Sequence, residues 1–373
     1  MTDELLLTGA RAIDARGERP GAWLLVRDGR IAEVGDGPAP AAAERVDLDG
    51  AVLTPGLVDI HVHGGGGHAF DDGSDAILAG VAAHRRHGTT ATVVSLVSSA
   101  PEVLRRRLDA VSAARRVNPG ILGAHLEGPC LSPARRGAHD PAALSAPDER
   151  FVELVLSTEP GLIRQITLAP ELPGAMQAIE AFVAHGVRVG IGHTEADYDL
   201  ARAAFDRGAT LLTHALNAMP AIGHREPGPV PAALADERVT LELILDGVHV
   251  HPAVARVLLT AAPGRVALIT DAMAAAAHHD GAYRLGDLDV RVTDGRAVLA
   301  DGRTIAGSTL TLDRAVRSAI VDLGLDPSDA VGAATAVPAR ALGDETRGLL
   351  EPGMRADLVA WDAEWRPQRV WAG

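Results

Sequence analysis

The sequence is short of cysteine, aromatic residues and long apolar runs, and each shortage excludes something. Cys130 is the single cysteine in 373 residues, so no disulfide can form within the chain, and this composition fits a reducing compartment. No apolar run approaches the roughly 18 residues that a membrane-spanning helix needs. The first residues also lack the basic region of a signal peptide. We therefore expect a cytoplasmic protein that does not bind membranes.

Basic residues are fewer than acidic ones, at 35 Lys and Arg against 49 Asp and Glu, which gives a net charge of −14. A field of this sign repels nucleic acid, so no nucleic-acid partner is expected, and an anionic substrate would need a local basic pocket. Apolar residues make up 47% of the chain and charged residues 23%, which excludes a disordered protein. Aromatic residues contribute only 3%, so aliphatic side chains must fill the core.

The two ends of the chain resemble each other and differ from the middle. Short apolar runs separated by glycine turns predict strands at Leu5–Leu7, Ala22–Arg27, Arg30–Val34, Asp357–Trp361 and Gln368–Trp371. Neither end is long enough to bury a core by itself. We therefore predict one small β-sandwich domain built from residues 1–54 and 346–373, with the rest of the chain inserted between them.

The middle of the chain alternates eight apolar runs with helical segments, which predicts an α/β fold. The predicted strands are Leu57–His63, Ala91–Val97, Ile121–Glu127, Ile163–Ala169, Val187–His193, Thr210–His214, Thr240–Asp246 and Val266–Asp271. An eightfold alternation over residues 55–345 favours a metal-dependent (β/α)8 TIM-type barrel. A doubly wound parallel sheet is the alternative, but no GxGxxG motif follows the first strand.

Residues suited to metal or acid–base chemistry stand near the ends of several predicted strands. They are Asp59, His61, His63, Glu127, His193, His214 and Asp271. Because active sites of such barrels form at the carboxyl ends of the strands, we expect these side chains to converge there.

The motif Asp59-Ile-His61-Val-His63 alternates polar and apolar residues, which places its two imidazoles on one face of a strand. Glu127 can ligate one metal or bridge two, although an acid that caps the next helix is the alternative. Together with His193 and His214 it would form a site with an open position for water, as in catalytic zinc centres. Asp271 would then be placed to accept a proton from that water.

These residues lie in motifs that resemble the N-acetylglucosamine-6-phosphate deacetylases of the amidohydrolase superfamily. The motifs are Pro55-Gly-Leu-Val-Asp59-Ile-His61-Val-His63, His125-Leu-Glu127-Gly-Pro, Arg136-Gly-Ala-His139, Gly192-His193-Thr194, His214-Ala-Leu-Asn217-Ala-Met219, His224-Arg225-Glu-Pro-Gly, Asp246-Gly-Val-His249, Thr270-Asp271-Ala-Met273 and Pro352-Gly-Met-Arg-Ala-Asp357. The resemblance covers essentially the whole chain. It implies hydrolysis of the N-acetyl group of N-acetyl-D-glucosamine 6-phosphate, which yields D-glucosamine 6-phosphate and acetate for amino-sugar catabolism and cell-wall recycling.

The resemblance also implies a role for each site residue. Glu127, His193 and His214 correspond to metal ligands, Asp271 to the catalytic acid and base, and His139 to the group that stabilises the acetamide oxygen. The expected substrate contacts are Ala138, His139, Asn217, Ala218, Arg225, His249, Ile305, Ala306 and Gly307. Arg225 resembles a phosphate-binding arginine contributed across the interface of a homodimer.

Because His61 and His63 are both present, we expect a site able to hold one or two divalent metals, with Glu127 as the bridge. Zn²⁺ is the first choice, and Fe²⁺, Mn²⁺ or Co²⁺ are compatible with the same ligands. Cys130 is interpreted as a packing residue near the mouth of the barrel. Another amidohydrolase activity remains an alternative, for which Arg225 and His249 would have no evident use. A non-catalytic scaffold is disfavoured, because the ligands and the acid are all present.

Overall fold

The computed structural model describes residues 4–42 and 44–372. The parts of the predicted β-domain at residues 1–3, 43 and 373 lie outside the described residues. Strands are numbered β1–β20 and helices α1–α10 in chain order.

The two chain ends form one seven-stranded sheet. Its strands are β1 (Glu4–Asp14), β2 (Gly17–Arg27), β3 (Arg30–Gly35), β4 (Glu44–Asp47), β5 (Val52–Pro55), β19 (Leu358–Trp361) and β20 (Pro367–Trp371). The order is β20-β19-β5-β1-β2-β3, and β4 pairs with the first half of β1. Strand β19 runs antiparallel to β5, with Leu358 opposite Pro55, so the predicted pairing of the two ends is confirmed. The limits of the domain stay predictions.

Eight parallel strands form the barrel. They are β6 (Leu57–Val62), β9 (Thr89–Val97), β10 (Ile121–Glu127), β11 (Ile163–Leu168), β12 (Arg188–Ile191), β13 (Leu211–Leu212), β14 (Thr240–Ile244) and β15 (Val266–Ile269). They neighbour one another in chain order. Backbone hydrogen bonds from Asp271 N to His61 O and from His63 N to Ala272 O, each 2.8 Å long, join the last strand to the first at their carboxyl ends. The predicted barrel is confirmed, and the doubly wound alternative is wrong because the strand order never reverses.

Helices cover the outside of the barrel. They are α1 (Ser74–Arg86), α2 (Pro101–Val117), α3 (Glu149–Leu156), α4 (Ala175–Ala184), α5 (Tyr198–Asp206), α6 (Pro229–Leu234), α7 (Pro252–Ala261), α8 (Leu312–Arg317), α9 (Pro327–Ala333) and α10 (Ala336–Ala341). Local chemistry sets several starts: the Asp148 carboxylate accepts from Phe151 N at the start of α3, and Asp197 accepts from Leu200 N at the start of α5. Short 3-10 turns lie at Phe70–Asp72, Pro133–Arg135 and Pro141–Ala143, and a π-helical turn lies at Ser318–Asp322.

Two small sheets lie beyond the carboxyl ends of the strands. Strands β7 (Gly64–Gly65) and β8 (His68–Ala69) pair in the loop after β6. Strands β16 (Gly281–Leu285), β17 (Leu288–Thr293) and β18 (Arg296–Leu299) form an antiparallel meander after β15. The meander shares a buried apolar cluster with Ala138, Met273 and Ala306, so it is fixed to the mouth of the barrel.

A search of the described helices found none with the length and apolar character needed to cross a membrane.

Candidate active site

The predicted acid and histidine residues meet at the carboxyl ends of the barrel strands. Glu127 is the last residue of β10, and His193, His214 and Asp271 each follow their strand by two residues. All of these side chains are buried, and His61 is fully enclosed beneath them. A cavity of about 390 Å³ opens above them, and His63, Glu127, His193, His214 and Asp271 line its floor.

Glu127 lies at the centre of this cluster. Its Oε1 is 3.3 Å from His61 Nε2, 3.3 Å from His193 Nε2 and 3.2 Å from His214 Nε2. Its Oε2 is 3.2 Å from the Nε2 atoms of His63 and His139. The carboxylate therefore touches imidazoles from five positions in the chain, and it caps none of the helices in the described part of the chain.

The donor atoms fit a divalent cation. His193 Nε2 and His214 Nε2 are 3.0 Å apart, and His61 Nε2 and His63 Nε2 are 3.2 Å apart, so ring nitrogens from two pairs converge beside one carboxylate. His193 Nδ1 lies 2.8 Å from the Arg135 carbonyl oxygen, which can only accept. The proton is therefore on Nδ1, which leaves the Nε2 lone pair free for a metal. Nitrogen and carboxylate ligands of this kind suit Zn²⁺ and similar ions.

The ligand atoms that lie close enough to share a metal ion form two candidate sets, and both contain Glu127. One contains His61, His63 and Glu127, and the other contains Glu127, His139 and His193. His214 belongs beside the second set by its distances to Glu127 and His193. Both sets are fully buried.

The electrostatics of the cluster favour positive charge between its ligands. Burial alone would raise the pKa of Glu127, but the imidazoles, His61 foremost, hold it well below its usual range. Burial would also raise the pKa of Asp271, but His61 and His63 lower it to about 2. Burial would lower the pKa of His63, but Asp271 and Glu127 raise it to about 9. The cluster therefore stabilises a cation and holds its carboxylates ionised.

The backbone at three of these positions is left-handed. The φ angles of His193, His214 and Asp271 are 46°, 28° and 48°. Residues other than glycine rarely adopt such angles, and they keep them only where the surrounding contacts enforce them. Hydrogen bonds do so here: Ser132 N donates to His193 O at 2.9 Å and Asp271 N donates to His61 O at 2.8 Å. These turns bring the three side chains to the cavity directly after their strands end.

His139 has a defined tautomer. The backbone N–H of Ser98, which can only donate, points to His139 Nδ1 at 3.4 Å, and the Ser98 hydroxyl lies 2.9 Å from the same nitrogen. Nδ1 therefore accepts, and the proton lies on Nε2, which faces the cavity beside Glu127. Burial is the main cause of a lowered pKa for His139, so the ring is neutral at neutral pH. A neutral imidazole with an inward N–H is a hydrogen-bond donor for a substrate oxygen and cannot ligate a metal through that nitrogen, so His193 and His214 are left as the imidazoles of the second set.

Most of the predicted substrate contacts line the cavity: Ala138, His139, Asn217, Ala218, His249, Ile305 and Gly307. Ala306 is fully buried and packs with the meander instead. Arg225 is exposed, does not line this cavity and donates to His224 Nε2 at 2.8 Å. Within one described chain, therefore, Arg225 is not brought to the site.

Sequence reasoning missed several lining residues. Arg135, Leu285, Arg303 and Thr304 also face the cavity. Arg135 immediately precedes the Arg136-Gly-Ala-His139 motif, and Arg303 stands two residues before Ile305, so their proximity to recognised segments was the available clue.

A parallel eight-stranded barrel with a histidine and carboxylate centre at the carboxyl ends of its strands defines a metal-dependent hydrolase. Residues 52–373 match the Amidohydrolase family. N-acetylgalactosamine-6-phosphate deacetylase of Escherichia coli O157:H7 is 37% identical over 371 residues, which cover 98% of this chain and 97% of that protein. N-acetylglucosamine-6-phosphate deacetylase of Mus musculus is 36% identical over 335 residues, which cover 86% of this chain and 82% of that protein.

A solved structure is also closely similar. It is a mutant N-acetyl-D-glucosamine-6-phosphate deacetylase of Mycobacterium smegmatis in complex with N-acetyl-D-glucosamine-6-phosphate. The TM-score is 0.95, with 44% identity over 99% of this chain and 98% of the other. The chain therefore belongs to the amidohydrolase family and, within it, to the N-acetylhexosamine-6-phosphate deacetylases. It is a hydrolase of amide bonds, and its histidine and glutamate cluster is a divalent-metal site.

Proposed function

We propose that this chain hydrolyses the N-acetyl group of N-acetyl-D-glucosamine 6-phosphate and releases D-glucosamine 6-phosphate and acetate. The observation that carries the proposal is the position of Glu127 among the imidazoles, with Asp271 and His139 beside it on the floor of one cavity. A volume of about 390 Å³ suits a sugar phosphate. The similarity to deacetylases along essentially the whole chain supports the same reaction.

Two ligand sets would hold the metal. His61 and His63 would bind one ion and His193 and His214 another, with Glu127 between them. Zn²⁺ is the ion we propose, because nitrogen and carboxylate ligands suit it. When bound, a divalent ion supplies Lewis-acid chemistry and lowers the pKa of water at the site.

Asp271 and His139 would move the proton and stabilise the developing charge. The Asp271 carboxylate lines the cavity 3.3 Å from His63 Nε2, so it would lie beside the attacking water and accept a proton from it. The water oxygen forms a bond to the acetyl carbon, while His139 Nε2–H donates to the carbonyl oxygen. Asp271 then returns the proton to the sugar nitrogen as the C–N bond breaks. The immediate products are acetic acid and the amine; the remaining acid proton passes to the amine, so acetate and the ammonium form leave, and Asp271 is ionised again.

The phosphate would bind at the outer end of the cavity. Asn217, Ala218 and His249 line that region, and His249 Nδ1 lies 2.7 Å from the Asp246 carboxylate. Burial opposes a charged imidazole, but Asp246 raises the pKa of His249 above its ordinary value, which favours the imidazolium that an anion requires. Arg225 would come from a second copy, because in its own chain it is exposed and outside the cavity.

The first experiment measures acetate release by the purified protein from N-acetylglucosamine 6-phosphate, from N-acetylgalactosamine 6-phosphate and from unphosphorylated N-acetylglucosamine, with bound metal counted on the same sample. Faster turnover of the glucosamine phosphate supports the proposal. Faster turnover of the galactosamine phosphate would assign the activity for which the E. coli relative is named instead. No turnover of either phosphate by metal-loaded protein would overturn the proposal.

Subunit mixing tests the homodimer and the origin of Arg225. Asp271→Asn protein lacks the acid but keeps Arg225, and Arg225→Ala protein has the opposite defect. If Arg225 acts across the interface, a mixed dimer contains one site with both groups, and turnover of the phosphorylated substrate recovers on mixing. If Arg225 acts within its own chain, turnover does not recover in dimers shown to have exchanged subunits.

We place this reaction in the cytoplasm, where it would serve amino-sugar catabolism and cell-wall recycling.

A further inference from the structure

Glu242 is a buried carboxylate that the reaction does not use directly. It lies in the middle of β14 and faces the barrel interior, and its side chain has no exposed surface. Its hydrogen-bond and ion-pair partners among the described residues include no Lys or Arg. Burial of an acid without a cationic partner is costly, so the contacts that it does make need a reason.

Both oxygens of Glu242 accept hydrogen bonds from groups that can only donate. Gln165 Nε2 donates to Oε1 at 2.5 Å from β11, and the backbone N–H of His214 donates to Oε2 at 3.4 Å. The remaining contact of Oε2 is with His61 Nδ1 at 3.1 Å.

Because Glu242 accepts at both oxygens, its contact with His61 is read as a hydrogen bond donated by His61 Nδ1–H to Oε2. The other ring nitrogen, Nε2, is then the atom available to a metal, and it lies 3.2 Å from His63 Nε2 and 3.3 Å from Glu127 Oε1. A carboxylate behind a metal-binding histidine fixes its tautomer and ring orientation and increases its basicity. Among the described residues, Glu242 makes no hydrogen bond or ion pair with a side chain of the second set, because its hydrogen bond with His214 is to the backbone N–H.

We propose that Glu242 is a positioning residue for the metal held by His61, His63 and Glu127, and that Gln165 holds Glu242 in place. This inference rests on the two-ion site of the proposed function. Loss of the carboxylate weakens binding of one ion, and the ion held by His193 and His214 is affected far less.

The test is a titration of metal-free protein with Zn²⁺ against a competing chelator, with bound zinc counted after dialysis. Glu242→Gln keeps the size of the side chain and removes its charge. Thr240→Val is the matched control, since Thr240 is buried two residues earlier on the same face of β14. His61→Asn removes a ligand of the first set and therefore serves as the reference for the loss of that ion. We expect Glu242→Gln to weaken one of two binding steps about 10- to 100-fold, while Thr240→Val behaves like the wild type.

Two different outcomes overturn the proposal and are distinguishable. If the wild type binds two ions, His61→Asn binds one, and Glu242→Gln keeps both affinities, Glu242 does not position His61. If the wild type binds one ion and His61→Asn changes nothing, the two-ion site itself is wrong and the proposal falls with it. Thermal unfolding of the metal-free proteins distinguishes the positioning role from a purely structural one. A purely structural role would lower the Tm of Glu242→Gln without altering its zinc affinity.

Discussion

Replacing Asp246 with Asn tests how the cavity recognises phosphate. Asp246 Oδ2 lies 2.7 Å from His249 Nδ1, and Oδ1 accepts from the backbone N–H groups of Val248 and His249 at 2.8 and 2.9 Å. Asn can keep both backbone contacts through its Oδ1. Its amide would face the ring nitrogen in place of a carboxylate oxygen, so the substitution removes the charge and leaves the turn intact.

The magnitude follows from the charge of His249. A hydrogen bond to a charged group contributes about 1.5–3 kcal/mol, against about 0.5–1.5 kcal/mol between neutral groups. The difference of about 1–1.5 kcal/mol predicts a KM for the phosphorylated substrate that is roughly 5- to 10-fold higher in Asp246→Asn. The pKa of His249 is raised in the wild type, so its charge persists below that pKa and is lost as the pH rises through it. In the variant the same loss occurs at lower pH.

The assay compares KM for phosphorylated and unphosphorylated N-acetylglucosamine across the neutral and alkaline range. Asp326→Asn is a matched control, because Asp326 caps α9 through Ser328 N and does not line the cavity. If KM for the phosphorylated substrate begins to rise at the same alkaline pH in Asp246→Asn as in the wild type, the reasoning is refuted. An equal rise of KM for both sugars would also refute it, since the unphosphorylated sugar has no anion for His249 to bind.

Two further predictions concern Asp271 and the seven-stranded sheet. Asp271→Asn is expected to lower kcat about 10²- to 10⁴-fold with bound metal near normal, and activity close to wild type would remove Asp271 from proton transfer. Thr54→Val leaves the buried Trp361 Nε1–H without its 2.9 Å acceptor, so urea unfolding should show a loss of about 1–3 kcal/mol. Thr8→Val is its control: Thr8 Oγ1 is buried with no partner among the described residues, so this change should be neutral or stabilising, and equal losses would contradict the assignment.

The barrel and the floor of its site were predictable from sequence because one physical rule connects them. Apolar runs predict strands, and the carboxyl ends of parallel strands in a closed barrel meet at one rim. Residues as distant as His61 and Asp271 therefore had to approach each other once both ended strands of the same barrel. Distances of 3.2–3.5 Å within the cluster bear out that convergence.

Features that depend on loop paths and on side-chain direction were not predictable in this way. The meander β16–β18 was missed, although the turn dipeptides Gly286-Asp287 and Asp294-Gly295 mark its two hairpins. The left-handed backbone of His193 and His214 has no sequence marker, because only the surrounding contacts enforce it. Glu242 was missed because it stands inside an apolar run. Its contact with His61 can be inferred only when strands β6 and β14 are placed in the same barrel.

The distribution of charge explains how an acidic chain can bind an anion. The net charge of −14 is repulsive at long range, but the carboxylates at the floor of the cavity, Glu127 and Asp271, are each in contact with imidazoles. Arg135, Arg303 and His249 line the same cavity and place basic groups beside these carboxylates. Because charges separated by more than about 8–10 Å are largely screened at physiological ionic strength, these nearby cations decide what binds. Under the proposed function, the cavity would present its acids and imidazoles to the metal and its basic side chains to the phosphate.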